Sequence, residues 1–228
     1  MDWESLARLL SQTYGDPRHG NPTDPTDSLF YLMLSRKTPI ATAGRIFSRL
    51  QEASARWDRL ADMPEAEIAE LLAGSGLEAI RAGHLRRVAG LLRERFGLVT
   101  LAPLRNWSDE DCLTFLSALP GVGMKTALCV MLYGLERQVF PADVHCIRVL
   151  GRMGVIDAHL AHRPAQRRLA VMVPEHLGYA LHVNLVAHGQ QVCRAGAPKC
   201  GACVVREFCA HGAADGLKIA EETEPYRV

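Results

Sequence analysis

The sequence predicts an all-α globular protein, and three features of its 228 residues support that prediction. Apolar residues recur at helical spacing in successive segments, and short links rich in glycine or proline separate those segments. No segment shows the strict alternation of apolar and polar residues that is typical of a half-buried strand. With 48% hydrophobic residues, the chain can bury one large core or two small ones.

The first helix is predicted at residues 3–14, where Leu6, Leu9 and Leu10 share one face. A linker with two prolines follows, and Asp27 or Ser28 is the predicted start of an apolar helix that ends at residue 35. Further helices are predicted at residues 41–50, 64–73, 80–96, 109–118, 126–134, 144–153, 164–173 and 177–188. We expect a six-helix domain at 25–135 and a second domain that joins 1–24 to 136–228.

Charge is distributed unevenly along the chain, although the total is only +1. Residues 1–28 hold two basic and five acidic side chains, and residues 215–228 hold two and four, so residues 29–214 carry +6. A basic body suits a polyanionic partner, although a solvated surface explains so modest a charge equally simply. The start of the chain lacks a signal-peptide pattern and no run approaches the length of a membrane span, so a cytoplasmic, nucleoid-associated protein is expected.

The segment from Leu119 to Gly123 links two predicted helices through a turn of only a few residues. Gly121 and Gly123 can both adopt the positive φ angles that a tight link needs. A helix N-terminus carries unpaired N–H groups and a partial positive charge, so Val122 and the residues up to Lys125 are suited to bind one phosphate without reading a base. The spacing alone is equally compatible with an ordinary helix–helix turn.

Two ionisable residues favour chemistry at this turn. Lys125 lies in the first turn of the second helix, where the helix dipole disfavours a cation and so favours the nucleophilic amine. Asp143 precedes another apolar helical segment, so its simplest role is an N-cap. The intervening chain is nevertheless long enough to return Asp143 to Lys125, because an extended segment covers more distance per residue than a helix. An amine and a carboxylate facing each other are suited to attack on a sugar C1′.

The motif Leu119-Pro-Gly-Val-Gly-x-Lys125-Thr-Ala, with Asp143-x-His145-x-x-Arg148, resembles endonuclease III from about residue 28 to residue 209. That family consists of helix-hairpin-helix DNA glycosylases with AP-lyase activity. The resemblance implies that Lys125 is the nucleophile and Asp143 its partner in a monomer that removes oxidised pyrimidines from duplex DNA and cleaves abasic sites. The alternatives are a helix-hairpin-helix protein with weak or lost glycosylase activity and an adenine-mismatch glycosylase, which is expected to lack the lysine.

Two loops depart from the family pattern. The resemblance implies that Leu77 enters the base stack and that Arg81 provides a positive charge for a phosphate, but Glu78 and Ala79 replace an expected aromatic residue and asparagine. It also places a glutamine where Lys37 stands, at a position that fills the gap left by a flipped nucleotide. A core role for Leu77 and an exposed helix end for Lys37 are the simpler alternatives. We expect these departures to weaken base removal.

Four cysteines lie within 17 residues as Cys193-x6-Cys200-x2-Cys203-x5-Cys209, a segment with almost no apolar core of its own. Four thiolates can hold either a zinc ion or a [4Fe–4S] cluster, and the spacing does not distinguish them. The resemblance to endonuclease III implies the cluster. It also implies that Arg194 and Lys199 on this loop contact the DNA backbone. His145 is assigned either to a phosphate beside the flipped sugar or to a solvated helix face.

Overall fold

The computed structural model describes residues 2–213. Every regular element in this part of the chain is helical, with ten α-helices, four short 3-10 helices and no strand, which confirms the all-α prediction. Two compact units are formed, one by residues 20–137 and one by residues up to 19 together with those from 138 onward. The sequence prediction places these boundaries at 25 and 135. Residues 214–228, which it assigns to the second domain, lie outside the described residues.

The unit of residues 20–137 contains six α-helices: α2 (Pro25–Ser35), α3 (Ile40–Ala53), α4 (Glu65–Leu71), α5 (Glu78–Phe96), α6 (Asp109–Ala118) and α7 (Met124–Tyr133). The apolar helix α2 packs against α3, α5 and α7, while α4 packs on α5 and α6 packs on α7. Leu29, Phe30 and Leu34 of α2 are completely buried. Because α2 lies at the centre of these contacts, it supports both the α6–α7 hairpin and the start of α5.

Helix α2 begins at Pro25, so the predicted start at Asp27 or Ser28 was wrong. The side chain of Asp24 accepts hydrogen bonds from the backbone N–H groups of Thr26 and Asp27, and proline is favoured in the first helical position because its missing N–H would have no partner there. The carboxylate of Asp27 accepts a hydrogen bond from the indole of Trp57. Asp27 therefore anchors the segment after α3 rather than capping α2.

The other unit contains α1 (Trp3–Tyr14), α8 (Val144–Arg152), α9 (His162–Met172) and α10 (Gly178–Gln191). Helix α10 packs against both α1 and α8. Leu181 and Leu185 of α10 are buried in a core that also includes Val205, which is 1% exposed. Val205 lies in the cysteine segment, residues 193–209. The cysteine segment is thus attached to the helical core by an apolar residue as well as by its thiols.

No helix within residues 2–213 has both the length and the apolar character that are needed to cross a bilayer.

Candidate functional site

The hairpin between α6 and α7 contains two glycines with different backbone conformations. Gly121 has φ of 77°, in the left-handed region, as the sequence predicts. Gly123 has φ of −95° and ψ of 170°, so it does not use the freedom for a positive φ and is an extended N-cap residue instead. The turn is closed by a hydrogen bond of 3.0 Å from the N–H of Val122 to the carbonyl of Leu119.

Two side chains that are distant in sequence hold this hairpin in place. A Cβ atom on Gly121 would lie 2.6 Å from Nδ1 of His84, so the side chain of this residue of α5 packs against the glycine. The carbonyl of Gly121 accepts a hydrogen bond of 3.1 Å from Nη1 of Arg36. Gly121 is therefore favoured both by its backbone angle and by the nearby His84 side chain, and neither contact was predicted from the sequence.

The N-terminus of α7 has the features of an anion site. No side chain caps it, Gly123 is exposed, and a Cβ atom on Gly123 would meet nothing within 4 Å. Helix N-termini attract anions through their N–H groups and their partial positive charge. Lys125 lies in the first turn and is half-buried, and residues 126–133 after it are buried. This end of α7 is thus open to an anion, while the rest of the helix forms core.

Asp143 is the N-cap of α8 in the other unit. Its Oδ1 accepts hydrogen bonds from the N–H groups of His145 at 2.8 Å and Cys146 at 2.9 Å. The capping role considered from the sequence is therefore present. The side chain remains half-buried rather than enclosed.

His145 is oriented by Arg148, which lies one turn later on α8. Nη2 of Arg148 donates to Nδ1 of His145 at 3.0 Å and to the carbonyl of Gly189 at 2.8 Å. Because a guanidinium has only donors, Nδ1 accepts, and a neutral imidazole carries its proton on Nε2. Nε of Arg148 donates to the carbonyl of Cys193 at 3.0 Å, so this arginine connects α8 to the first cysteine.

The four cysteines Cys193, Cys200, Cys203 and Cys209 line one cavity, and none of them is in a disulfide. Burial raises the pKa of the Cys203 thiol, and the other three thiols raise it further. Within residues 2–213, no group of three or more His, Cys, Asp or Glu side chains is arranged to hold a metal ion. Four cysteines around one space are nevertheless a ligand set of the kind that holds a zinc ion or an iron–sulfur cluster.

Polar side chains approach two of these thiols. Nη1 of Arg152 lies 3.4 Å from Sγ of Cys193, and the same guanidinium donates to the carbonyls of Arg194 and Ala195. Nε2 of His188 lies 3.6 Å from Sγ of Cys203, while its Nδ1 is bonded to the hydroxyl of Tyr14 at 2.8 Å.

Three partners of the cysteine segment were not predicted from the sequence, namely Arg152, His188 and Tyr14. Helical spacing offered a signal for Arg152, because it follows Arg148 by four residues on the same face. Arg194 and Lys199 are both exposed on this segment.

The two loops that depart from the family pattern lie next to each other in the 20–137 unit. Lys37, Leu77, Arg81 and Gly121 line a cavity of about 200 Å³, together with Arg36, Ile80 and His84. Leu77 is 63% exposed, so the core role considered for it is not observed. The structure thus brings four of the predicted DNA-contacting residues to one place, and it adds Arg36 and His84 beside them.

Glu78 and Arg81 have structural partners that the sequence did not reveal. The carboxylate of Glu78 accepts hydrogen bonds from the N–H groups of Gly74 at 3.2 Å and Gly76 at 3.0 Å. Backbone N–H groups, its own first, hold the pKa of the Glu78 carboxyl below its ordinary value. The guanidinium of Arg81 donates to the turn that contains Lys37. Both side chains therefore order the loops in which the unusual residues lie.

Comparison with known proteins identifies the family. Residues 31–175 match the HhH-GPD superfamily of base excision DNA repair proteins, and the chain belongs to this superfamily. The endonuclease III of Thermotoga maritima is 26% identical over 206 residues, which cover 90% of this chain and 91% of that protein. A relative from Arabidopsis thaliana, whose name marks it as a candidate DNA glycosylase, is 25% identical over 189 residues. These cover 83% of this chain and 64% of the plant protein, so this chain spans less than two thirds of that relative.

Solved structures show the same fold. A non-covalent complex of endonuclease III with DNA has a TM-score of 0.80 at 20% identity and covers 94% of this chain and 96% of that one. A thermostable thymine-DNA glycosylase has a TM-score of 0.75 at 20% identity, with 92% and 96% covered. The resemblance to endonuclease III is therefore confirmed at the level of family and fold.

Proposed function

We propose that this protein is a bifunctional DNA glycosylase that removes oxidised pyrimidines from duplex DNA and cleaves the resulting abasic site by β-elimination. The observation that supports this most directly is a half-buried lysine, Lys125, in the uncapped first turn of α7, immediately after a glycine hairpin. A monofunctional glycosylase needs no amine at this position. The relatives named endonuclease III and the solved DNA complex support duplex DNA as the partner.

The proposed chemistry assigns a step to each part of the site. The N–H groups at the start of α7 bind a backbone phosphate and hold the damaged nucleotide beside Lys125. The neutral amine of Lys125 attacks C1′, the bond from C1′ to the base breaks, and the base leaves with that electron pair and takes up a proton. Asp143 as a carboxylate stabilises the positive charge that develops on the sugar. The nitrogen then releases a proton, the C1′–O4′ bond breaks as O4′ takes up a proton, and a protonated Schiff base forms at C1′. This Schiff base makes the C2′ proton acidic; a base removes that proton, and the C3′–O bond breaks with its electron pair leaving on the 3′ phosphate.

We further infer that Cys193, Cys200, Cys203 and Cys209 hold a [4Fe–4S] cluster. The support is the shared cavity of the four thiols, together with the polar side chains of Arg152 and His188 beside two of them. Such a cluster ties the segment into one rigid loop. Arg194 and Lys199 then project from an ordered surface and contact the DNA backbone.

A helix-hairpin-helix protein with weak glycosylase activity is the second candidate, and Lys37 is the observation that favours it. Lysine only donates hydrogen bonds, and its ammonium must lose its water to enter a base stack. Adenine-mismatch activity is disfavoured by the presence of Lys125. The bifunctional glycosylase and the weakly active helix-hairpin-helix protein are both expected to bind duplex DNA. They differ in base removal, so a covalent assay separates them.

Borohydride trapping on a thymine-glycol duplex and on an abasic duplex tests the proposal. The chain has four lysines, at positions 37, 125, 199 and 218, so peptide mapping of the trapped adduct identifies the amine without ambiguity. We expect the adduct on Lys125, its loss in Lys125→Gln, and its retention in the control Lys218→Gln. Wild-type trapping in Lys125→Gln would contradict the role of this lysine. Trapping on the abasic duplex alone would favour the second candidate.

A further inference from the structure

Two exposed turns of the 20–137 unit each present a non-glycine residue in the left-handed backbone region. Lys37 has φ of 55° in the turn of residues 34–38, and Leu77 has φ of 60° in the turn of residues 74–77. This conformation is sterically unfavourable for residues with a Cβ atom, so the surrounding structure must hold it. Both side chains are exposed and cannot be fixed by their own burial.

Arg81 joins these two turns. Its Nη1 donates to the carbonyl of Leu34 at 2.8 Å and to Oγ1 of Thr38 at 2.9 Å. Its Nη2 donates to the carbonyl of Arg36. Its backbone N–H donates to the carbonyl of Leu77 at 2.9 Å. The side chain of Arg81 is thus bonded to the first turn, while its main chain makes the first i→i−4 bond of α5, the helix that begins directly after Leu77.

Thr38 forms a second link. Its hydroxyl accepts from Arg81 and donates to the carbonyl of Ser75 at 3.1 Å, which lies nearer than the alternative acceptor, the carbonyl of Arg36 at 3.3 Å. Thr38 is 8% exposed and Ser75 is 5% exposed, so water competes little for this bond. Glu78 orders the second turn from its other side by accepting from two of its N–H groups. The two turns are thus connected by a continuous hydrogen-bonded chain.

We propose that Arg81 is a positioning residue that couples the two turns, so that Lys37 and Leu77 enter the duplex as one unit when a nucleotide is extruded. This inference rests on the proposed function and deepens it. Arginine suits the role because its planar fork presents several N–H donors in fixed directions. A lysine at position 81 retains the charge but has no fork, so it cannot bind three acceptors of one turn in this geometry.

The closing experiment compares Arg81→Lys and Arg81→Met with the control Arg86→Met, which removes a charge from the same helix at an exposed ion pair with Glu65. In Arg81→Lys, we expect base removal in single turnover to fall about tenfold or more, because small displacements of groups that position a substrate are costly. Elimination at an abasic site should fall less than about threefold, since that nucleotide is already unpaired. Affinity for undamaged duplex should stay within about twofold, because the charge is kept.

Hydrogen exchange of the free protein supplies a readout that does not depend on catalysis. In Arg81→Lys the amides of residues 36–38 and 74–77 should exchange faster together, while the rest of the 20–137 unit stays protected. Faster exchange of one turn alone, or of the whole unit, would overturn the coupling. If the wild-type protein removes no base and forms no adduct, the proposed function fails, and the exchange pattern still decides whether Arg81 couples the turns.

A direct phosphate contact by Arg81 makes a different prediction. In that case Arg81→Lys would behave like the wild-type protein, and Arg81→Met would lose affinity for every duplex with a salt dependence reduced by about one phosphate. This outcome would also overturn the proposal. A double-mutant cycle with Thr38→Val, which removes the hydroxyl and keeps the shape, completes the test. Because both residues act in one chain of bonds, the combined loss should not exceed the larger single loss; additive losses would refute the coupling.

Discussion

Replacement of the two hairpin glycines by alanine tests whether the α6–α7 turn is held as described. Gly121 has φ of 77°, and a Cβ atom there would meet Nδ1 of His84 at 2.6 Å and its Cγ at 3.1 Å. Gly123 has an ordinary backbone conformation and open space where its Cβ would lie. The two glycines are two residues apart in one motif, so the variants are matched in all but these features.

The expected magnitudes follow from that difference. Alanine in the left-handed region costs about 1–2 kcal/mol, and displacement of a packed side chain adds about 1–3 kcal/mol. We therefore expect Gly121→Ala to lower the free energy of unfolding by about 2–4 kcal/mol. Gly123→Ala exchanges a tolerated N-cap residue for a poorer one, which costs on the order of 0.5–1 kcal/mol. In a protein that already carries His84→Ala, the ring that would overlap the new Cβ is absent. Adding Gly121→Ala to that protein should therefore cost only the backbone part of the loss, about 1–2 kcal/mol.

Denaturant unfolding at fixed pH and salt measures these differences, and affinity for an abasic duplex reports the effect on phosphate binding. Gly121→Ala should lose stability and affinity together, because the turn that aims the N–H groups of α7 is distorted. A larger loss of stability in Gly123→Ala than in Gly121→Ala would refute the described hairpin. The described hairpin would also be refuted if Gly121→Ala lowered the free energy of unfolding as much in the His84→Ala background as in the wild-type protein.

Three other predictions concern the cysteines, the carboxylate and the unusual lysine. Protein purified without oxygen should be yellow-brown with about four irons per chain, and Cys203→Ser should lose the iron and the order of its segment; stoichiometric zinc in protein made with ample iron would contradict this. Asp143→Asn keeps an N-cap for α8, so it should slow base removal more than elimination at a preformed abasic site while stability changes little; equal losses on both substrates would oppose the assignment. Lys37→Gln should raise base removal more than abasic-site cleavage when salt is adjusted for the lost charge; an unchanged or lower rate of base removal would dispose of the idea.

Helical periodicity, apolar runs and the links between them were sufficient to locate the ten α-helices of residues 2–213, because all three are local properties of the sequence. The bounds of α1 and α6 agree with the prediction to the residue. The predicted start of α2 was wrong because several residues of that segment can cap a helix. In the structure Asp24 is the cap, since its carboxylate accepts hydrogen bonds from two N–H groups. The carboxylate of Asp27 instead accepts a hydrogen bond from the indole of Trp57, thirty residues later.

The site was predictable only where the chemistry lies in one short motif. The hairpin, Lys125 and the capping position of Asp143 could be inferred because neighbouring residues define them. The contacts that fix their geometry join residues far apart in the sequence, such as Arg36 to Gly121 and Arg148 to Cys193. Arginine side chains make both contacts, and their reach allows many alternative partners that periodicity does not rank.

The departures from the family pattern at residues 37 and 78 are structurally connected, so their effects are better considered together than separately. Considered singly, Glu78 adds a negative charge to a surface that we propose to bind DNA, and Lys37 cannot both donate and accept toward an orphaned base as glutamine can. In the structure, Glu78 binds the N–H groups of the Leu77 turn and Arg81 binds the turn of Lys37, so each loop is ordered by a residue of the same helical turn of α5. An aromatic residue at 78 would remove the carboxylate that orders the second turn. Restoration of glutamine at position 37 alone therefore tests base pairing on an intact scaffold, whereas changes at 78 or 81 alter the scaffold itself.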